Sequence, residues 1–343
     1  MSEADAPEPP HPRETTAWFG HAEAERALLE AFRGGRIPHA WLIGGPSGIG
    51  KATLAYRMAR FVLANPDPAA CAVQAARSLA VPSDHPAARR VTAQSHTDLL
   101  VLERTPGPTG ALRTVITVDE VRRTVSFFGS TAGEGGWRIC VVDTADELQA
   151  PQAANTLLKV LEEPPARALF LIASHAPGRL LATIRSRCRR LMLRPLDEED
   201  VARAAAAALD RSEDDAEIRK AARAAQGSVG RAITLLGGRT LAVRKRVLDL
   251  LGRLPALDAN GMHALGDALG RADDVALETC LDVMRDWLSA RLAVEPKDSA
   301  RLARVAEVWE KLNRAAGEVE EFNLERKPLV FAAFGLLAEA ARG

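Results

Sequence analysis

The sequence predicts an α/β domain with a parallel sheet, then a small helical segment, then an all-α C-terminal region. Three observations predict it. Short apolar runs alternate with amphipathic stretches from about Ala17 to Leu196, strand-like runs stop after that point, and a glycine-rich loop joins the first strand to a helix. The candidate strands are Ala40 to Ile43, Asp98 to Leu102, Arg138 to Val142, Leu169 to Ala173 and Arg190 to Leu193. Each is short and nearly continuously apolar, as a parallel strand covered on both faces requires. Helical periodicity lies over Ala22 to Phe32, Ala52 to Leu63, Val118 to Ser126 and Ala154 to Leu161. Strand and helix in alternation make a layered, doubly wound sheet.

From Pro195 to about Gly238 the pattern is helical. Asp197 is placed to cap a helix through Ala208, and Ser212 to cap another through Ala225. Gly227 and Ser228 then open a short helix toward Leu236. Beyond Arg239, helices are expected over Leu241 to Leu254, Met262 to Gly270, Val275 to Leu292, Ala300 to Ala316 and Pro328 to Ala341. The expected division is therefore a disordered lead-in over 1–16, an α/β domain over 17–195, a helical lid over 196–238 and a helical oligomerisation domain over 239–343. In the last, Leu281, Met284, Leu288, Val305, Val308, Val330 and Phe334 recur at helical spacing. They form an internal core, and some of them are expected to meet other subunits as well.

Composition narrows the function classes. The 343 residues carry 45 Lys plus Arg against 45 Asp plus Glu, a formal net charge of zero. Binding nucleic acid by bulk charge is thereby excluded, although a local basic patch is not. Aromatic residues are 4% of the chain, too few for a platform that stacks many bases. No apolar run approaches the roughly 18–20 residues of a membrane helix, and the acidic, Pro-rich start has no signal-peptide pattern. A cytoplasmic protein that does not enter membranes is expected. The four cysteines, Cys71, Cys140, Cys188 and Cys280, contain no CxxC pair, and no zinc site is expected.

The strongest chemical signal is Gly45-Pro46-Ser47-Gly48-Ile49-Gly50-Lys51, set between a strand and a helix. That is the context of a phosphate-binding loop. Its glycines let backbone N–H groups converge on phosphate, the following helix N-terminus favours negative charge, and Lys51 adds a cation. The residue after the lysine ordinarily supplies a hydroxyl to Mg²⁺. Here it is Ala52, and Thr53 lies one step on, rotated about 100° around the helix. The second signal is Ile139-Cys140-Val141-Val142-Asp143, an apolar strand ending in the acid that would reach Mg²⁺ through water. The third is Thr183-Ile184-Arg185-Ser186-Arg187-Cys188. Its arginines suit two readings: a solvated basic face continuing through Arg189 and Arg190, or a guanidinium that stabilises charge on a phosphate held by a neighbouring subunit. Beyond Asp143, no metal-binding carboxylate constellation supports polymerase or nuclease chemistry in this chain.

Asn155-Thr156-Leu157-Leu158-Lys159-Val160-Leu161-Glu162-Glu163-Pro164-Pro165, Phe170 to Ser174 and Ser186-Arg187-Cys188 together resemble the bacterial clamp-loader family of AAA+ ATPases. Pro38 to Leu42 and Val118 to Arg122 are similar to the same family. The resemblance covers about Phe19 to Leu236 by motif, and the helical tail by architecture. It implies a five-membered ring that uses ATP to open a sliding clamp and place it on primed DNA. The implied partners are the motor subunits gamma and tau, the clamp-opening delta subunit and, through the ring, the clamp and the DNA. It also implies a site made of Gly45, Gly48, Gly50, Lys51, Thr53, Asp143 and Ser174, and an arginine finger acting in trans from Arg187. Departures from the family pattern set this chain apart from the motors. Thr144 stands where motors carry the water-polarising Glu, and Gly230 where they carry a sensor Arg. Where many members hold a four-cysteine zinc module, residues 64–96 contain Cys71 alone, with His85 and His96. Weak or absent ATP binding and a structural role in the ring are expected. The alternative is an active ATPase of gamma or tau type.

Overall fold

The computed structural model describes residues 10–107, 113, 115–129, 136–149, 151–236, 238–269, 274–294, 299–322 and 324–342. The chain divides into two compact units, one spanning Pro7–Ile233 and the other containing Thr234–Gly343.

The first unit runs α1 (Ala22–Arg33), β1 (Ala40–Gly44), α2 (Lys51–Ala64), α3 (Cys71–Ala75), α4 (Pro86–Thr92), β2 (Leu99–Leu102), α5 (Val118–Gly129), β3 (Arg138–Val142), α6 (Gln152–Glu162), β4 (Ala168–Ser174), α7 (Ala182–Arg187), β5 (Arg189–Met192), α8 (Glu198–Leu209), α9 (Ala216–Ala224) and α10 (Val229–Leu236). The five strands form one sheet in the order β2-β3-β4-β1-β5. Every pairing in it is parallel. Strands separated in sequence become neighbours because each returns through a helix on one face or the other.

Successive residues of a strand point to opposite faces, so each central strand feeds two cores. Trp41, Ile43, Ile139, Val141, Leu169 and Leu171 pack with α1 and α2 residues such as Leu28, Phe32 and Met58. Ala40, Leu42, Cys140, Val142, Phe170 and Ile172 pack with Val121 and Phe128 of α5 and Leu157 and Leu161 of α6. This is why those runs read as continuously apolar. The expectation of burial on both faces fails at the sheet margins. β2 is buried only at alternate positions, and in β5 Arg189, Arg190 and Met192 are exposed. Helices cover the middle of the sheet and run out at its edges, so an edge strand keeps polar residues without cost.

Two local expectations shift. Ser212 does not cap the ninth helix. Asp215 does, accepting a hydrogen bond from the Glu217 N–H at 2.8 Å. Ser212 instead closes a small turn onto the Asp214 N–H. A carboxylate nearer the first turn is the better cap. The lead-in expected to be disordered over 1–16 is held from Pro12 onward. Arg60 on α2 donates to the carbonyls of Pro12, Arg13 and Thr15, the last at 2.7 Å, and Arg57 donates to that of Thr16 at 2.9 Å. Residues 1–9 of that lead-in lie outside the described residues.

The second unit is helical: α11 (Gly238–Leu251), α12 (Ala259–Leu269), α13 (Asp274–Val294), α14 (Ser299–Phe322) and α15 (Arg326–Arg342). α11 ends three residues before the expected Leu254, at Gly252 and ahead of Pro255, residues that do not extend a helix. Pro328 sits in the first turn of α15, where its missing N–H is harmless. Leu281, Met284, Leu288, Val305, Val308, Val330 and Phe334 all lie in this unit's own core.

Candidate nucleotide site

The site lies at the carboxyl edge of the sheet, where β1, β3 and β4 end and their connections diverge, the usual ligand position in such a fold. The loop after β1 turns at Gly45, Gly48 and Gly50, with φ of 144°, 71° and 96°, backbone that side-chain-bearing residues rarely adopt. Gly50 is the N-cap of α2, and Lys51 opens the helix. Gly48, Gly50, Lys51 and Thr53 line a cavity of 470 Å³ with Asp143 and Thr144 from the end of β3 and His175 from the end of β4. Its apolar wall comes from Trp18, Phe19, Leu196, Ala204, Val229 and Ile233. Pro10, Pro12, Thr15 and Thr16 of the anchored N-terminal strap form another side.

The other candidate residues sit elsewhere. Gly45 is behind the loop: a Cβ there would come within 2.6 Å of the Leu193 carbonyl oxygen. Ser174 is fully buried and donates to Asp146 Oδ1 at 3.1 Å. Arg187 is outside the cavity lining. Its Nη1 donates to the Thr183 carbonyl at 2.9 Å, and its Nη2 pairs with Glu162 Oε1 at 2.7 Å, with a third of the side chain exposed. Of the neighbouring arginines, Arg189 and Arg190 are both exposed, and the Arg189 guanidinium also lies over the Trp41 ring, 5.1 Å from its centre. Arg122 and Arg123 pair with Asp119 and Glu120 along the exposed face of α5.

Asp146, three residues beyond Asp143, accepts three hydrogen bonds: from Ser174 Oγ, the His175 N–H at 2.6 Å and the Ala176 N–H at 2.9 Å. Three of its roughly four acceptor positions are thus spent on fixing the β4 loop, which sets the orientation of this carboxylate. Thr144 donates to Asp143 Oδ1 at 3.4 Å. Burial raises the Asp143 pKa, with Glu103 adding to the effect and His11, the Thr144 hydroxyl and Lys51 opposing it. Burial lowers the His175 imidazole, and Lys51 lowers it further. Gly230 and His175, which no isolated motif singles out as ligands, are both in the cavity wall. The only sequence sign of Gly230 is its place in the Gly227-Ser228-Val229-Gly230-Arg231 segment.

Lys51 is buried, donates to the Pro46 carbonyl, and has its pKa pushed from 10.5 down to about 8 by burial, against the pull of Asp146 and Asp143. Between those two values the folded chain holds fewer protons at this site than the unfolded chain. Stability from Lys51 therefore rises with pH across that window and is lowest at neutral pH. Lys51→Met is expected to raise the melting temperature by a few degrees at pH 7. A lower melting temperature in scanning calorimetry would show that the bond to Pro46 outweighs the cost of burying the charge.

Residues 64–96 hold no gathered metal ligands. His85 caps α4 by accepting from the Ala87 N–H, His96 accepts from the Asp98 N–H at 3.2 Å, and Cys71 is exposed in α3. Among the described residues, no group of three or more His, Cys, Asp or Glu side chains is placed to hold a metal ion. No helix among them is long and apolar enough to cross a membrane.

Residues 20–197 match the family model described as DNA polymerase III, delta subunit. DNA polymerase III subunit delta' of Pseudomonas aeruginosa is 40% identical over 157 residues, covering 45% of this chain and 43% of that protein. Subunit delta' of Escherichia coli is 31% identical over 224 residues, 65% of this chain and 62% of that one. Subunit tau of Salmonella typhimurium is 29% identical over 182 residues, 53% of this chain and 26% of that one. The chain thus spans roughly half the length of the delta' relatives it matches. With more than half of its length inside the family model, its loop at the sheet's carboxyl edge and relatives named delta', the chain belongs to the DNA polymerase III clamp-loader family.

Proposed function

We propose that this chain is a delta'-like subunit of the DNA polymerase III clamp loader, a structural member of the ring whose own ATP site is degenerate. It binds ATP weakly or not at all, turns it over poorly, and is itself no polymerase. It works in the cytoplasm beside gamma or tau motor subunits and delta, and reaches the sliding clamp and primed DNA through the assembled ring. Arg187 acts in trans on ATP held by the adjacent motor. The α/β domain carries the site, residues 196–238 the lid, and residues 239–343 the collar that joins the subunits.

One observation supports this reading above the others. The cavity holds Lys51 and Asp143, but the position after Asp143 is Thr144, and the nearby Asp146 is committed to three donors. With Ala52 after the lysine, the position that ordinarily supplies the magnesium hydroxyl carries none, and the position of the water-polarising carboxylate carries a threonine. Losses of this kind cost about 10²-fold or more in rate. The purified chain is therefore expected to show ATP turnover near background in a coupled phosphate-release assay with Mg²⁺. Turnover matching that of isolated gamma or tau would overturn the reading in favour of an active motor.

A further inference from the structure

The carbonyl groups of Pro46, Ser47, Gly48, Ile49 and Gly50 in the phosphate loop are taken by the chain itself. Lys51 Nζ donates to Pro46 and Ser228 Oγ to Ser47 at 3.0 Å. The Gly230 N–H donates to Gly48 at 3.0 Å and the Leu54 N–H to Gly50 at 2.9 Å. His21 Nε2 lies 3.1 Å from the Ile49 oxygen. Two of these partners, Ser228 and Gly230, come from the start of α10, 181 residues away in sequence for the Ser47 bond. The approach is backbone against backbone. A Cβ on Gly230 would lie 3.1 Å from the Gly48 Cα, and one on Gly48 would lie 2.4 Å from Ser228 Oγ. A side chain at either position has to push loop and helix apart. The same turn is tied from behind, where the Leu196 N–H donates to the Gly227 carbonyl at 3.0 Å.

We infer that Ser228 and Gly230 form a latch that fastens α10 directly to the phosphate loop, and that Gly230 is the residue that permits it. The latch consists of protein groups alone, so the position of α10 on the loop does not depend on a nucleotide bridging the two. A side chain at position 230 would hold the two backbones a few tenths of an ångström further apart, and glycine lets them close. Loop and α10 then behave as one block during any cycle that the neighbouring subunits run. The latch goes beyond the proposed loss of turnover and stands or falls separately from it.

Hydrogen exchange of the full-length chain, read over residues 45–54 and 228–236 by mass spectrometry, tests this. Wild type is expected to exchange equally with and without magnesium ATP. Ser228→Ala removes one latch bond and also the cap that Ser228 Oγ gives the Arg231 N–H at 3.2 Å, so the latch is read on the loop: exchange over residues 45–54 should speed about fivefold, and with Gly230→Ala as well about tenfold or more. Exchange in the strands β3 and β4 should not change. Ser228→Ala leaves the glycine contact intact and supplies the test even if the double variant does not fold. Unchanged exchange over residues 45–54 in Ser228→Ala overturns the latch. So does wild-type protection that appears only with magnesium ATP. Turnover measured on the same wild-type sample separates the two ideas, because an active site with a protein-made latch contradicts only the proposed function.

Discussion

Arg187→Ala in the reconstituted complex is expected to slow hydrolysis at the adjacent motor site by about 10² to 10³-fold, with the isolated chain's melting temperature nearly unchanged. A guanidinium supplied in trans is worth that much or more where charge develops on a transferring phosphoryl group. Its present bonds are replaceable. The pair with Glu162 is partly exposed on both sides, 34% and 42%, and such pairs contribute at most about 1 kcal/mol. Loss of the Thr183 contact leaves that carbonyl with the hydrogen bond it accepts from Ser186 Oγ at 3.0 Å. Truncation therefore leaves the fold alone and reads out on the neighbour. The same geometry supplies a control. Glu162 holds Arg187 against its own α6, and reaching another subunit requires that pair to part. Glu162→Gln is expected to leave complex turnover unchanged or raise it, while Arg187→Ala lowers it. Single-turnover hydrolysis of magnesium ATP by the assembled complex checks both. Unaltered turnover in Arg187→Ala would remove the finger and return Arg187 to a structural tie between α6 and α7.

Legibility in the sequence followed the range of the interactions. β1, β3 and β4 were readable because each is buried on both faces, so the run Leu169 to Ala173 had no room for a polar residue. The loop was readable because glycine and lysine spacing over seven residues is set by local backbone geometry. What escaped depends on partners far apart in the chain. Arg60 reaches Thr15 across 45 residues and orders a Pro-rich stretch whose own composition indicates disorder. Gly230 meets Gly48 through backbone atoms, which leave no trace in a hydrophobic pattern. Arg187 finds Glu162 on the preceding helix, and nothing in the Ser186-Arg187-Cys188 segment names that carboxylate. The short helices α3, α4 and α7 were missed for another reason. One or two turns are too brief to show a period.

Removing the chain from Arg239 onward is expected to abolish co-elution with gamma or tau in size-exclusion chromatography while leaving a folded remainder. The remainder keeps both faces of the sheet covered, since the residues packed on Trp41 and on Phe170 all belong to the first unit. It should melt in one cooperative transition. The removed helices form a separate core around Leu265, Leu281, Leu288, Leu312 and Phe334, all nearly inaccessible to solvent. Leu281, Met284, Leu288, Val305, Val308, Val330 and Phe334 all lie within this core. Under the proposed collar role, contact with other subunits is expected on its outer surface, where Leu248, Leu257 and Leu324 are about half exposed. The two roles separate by substitution. Leu288→Ala should cost about 2–5 kcal/mol of bundle stability by opening a cavity. Leu248→Asp should leave the melting temperature within a few degrees, because an exposed leucine contributes little to the fold, and should weaken assembly if that face meets a neighbour. A truncated chain that still co-elutes with the motors would place the joining surface in the α/β unit and leave the bundle without a role in assembly.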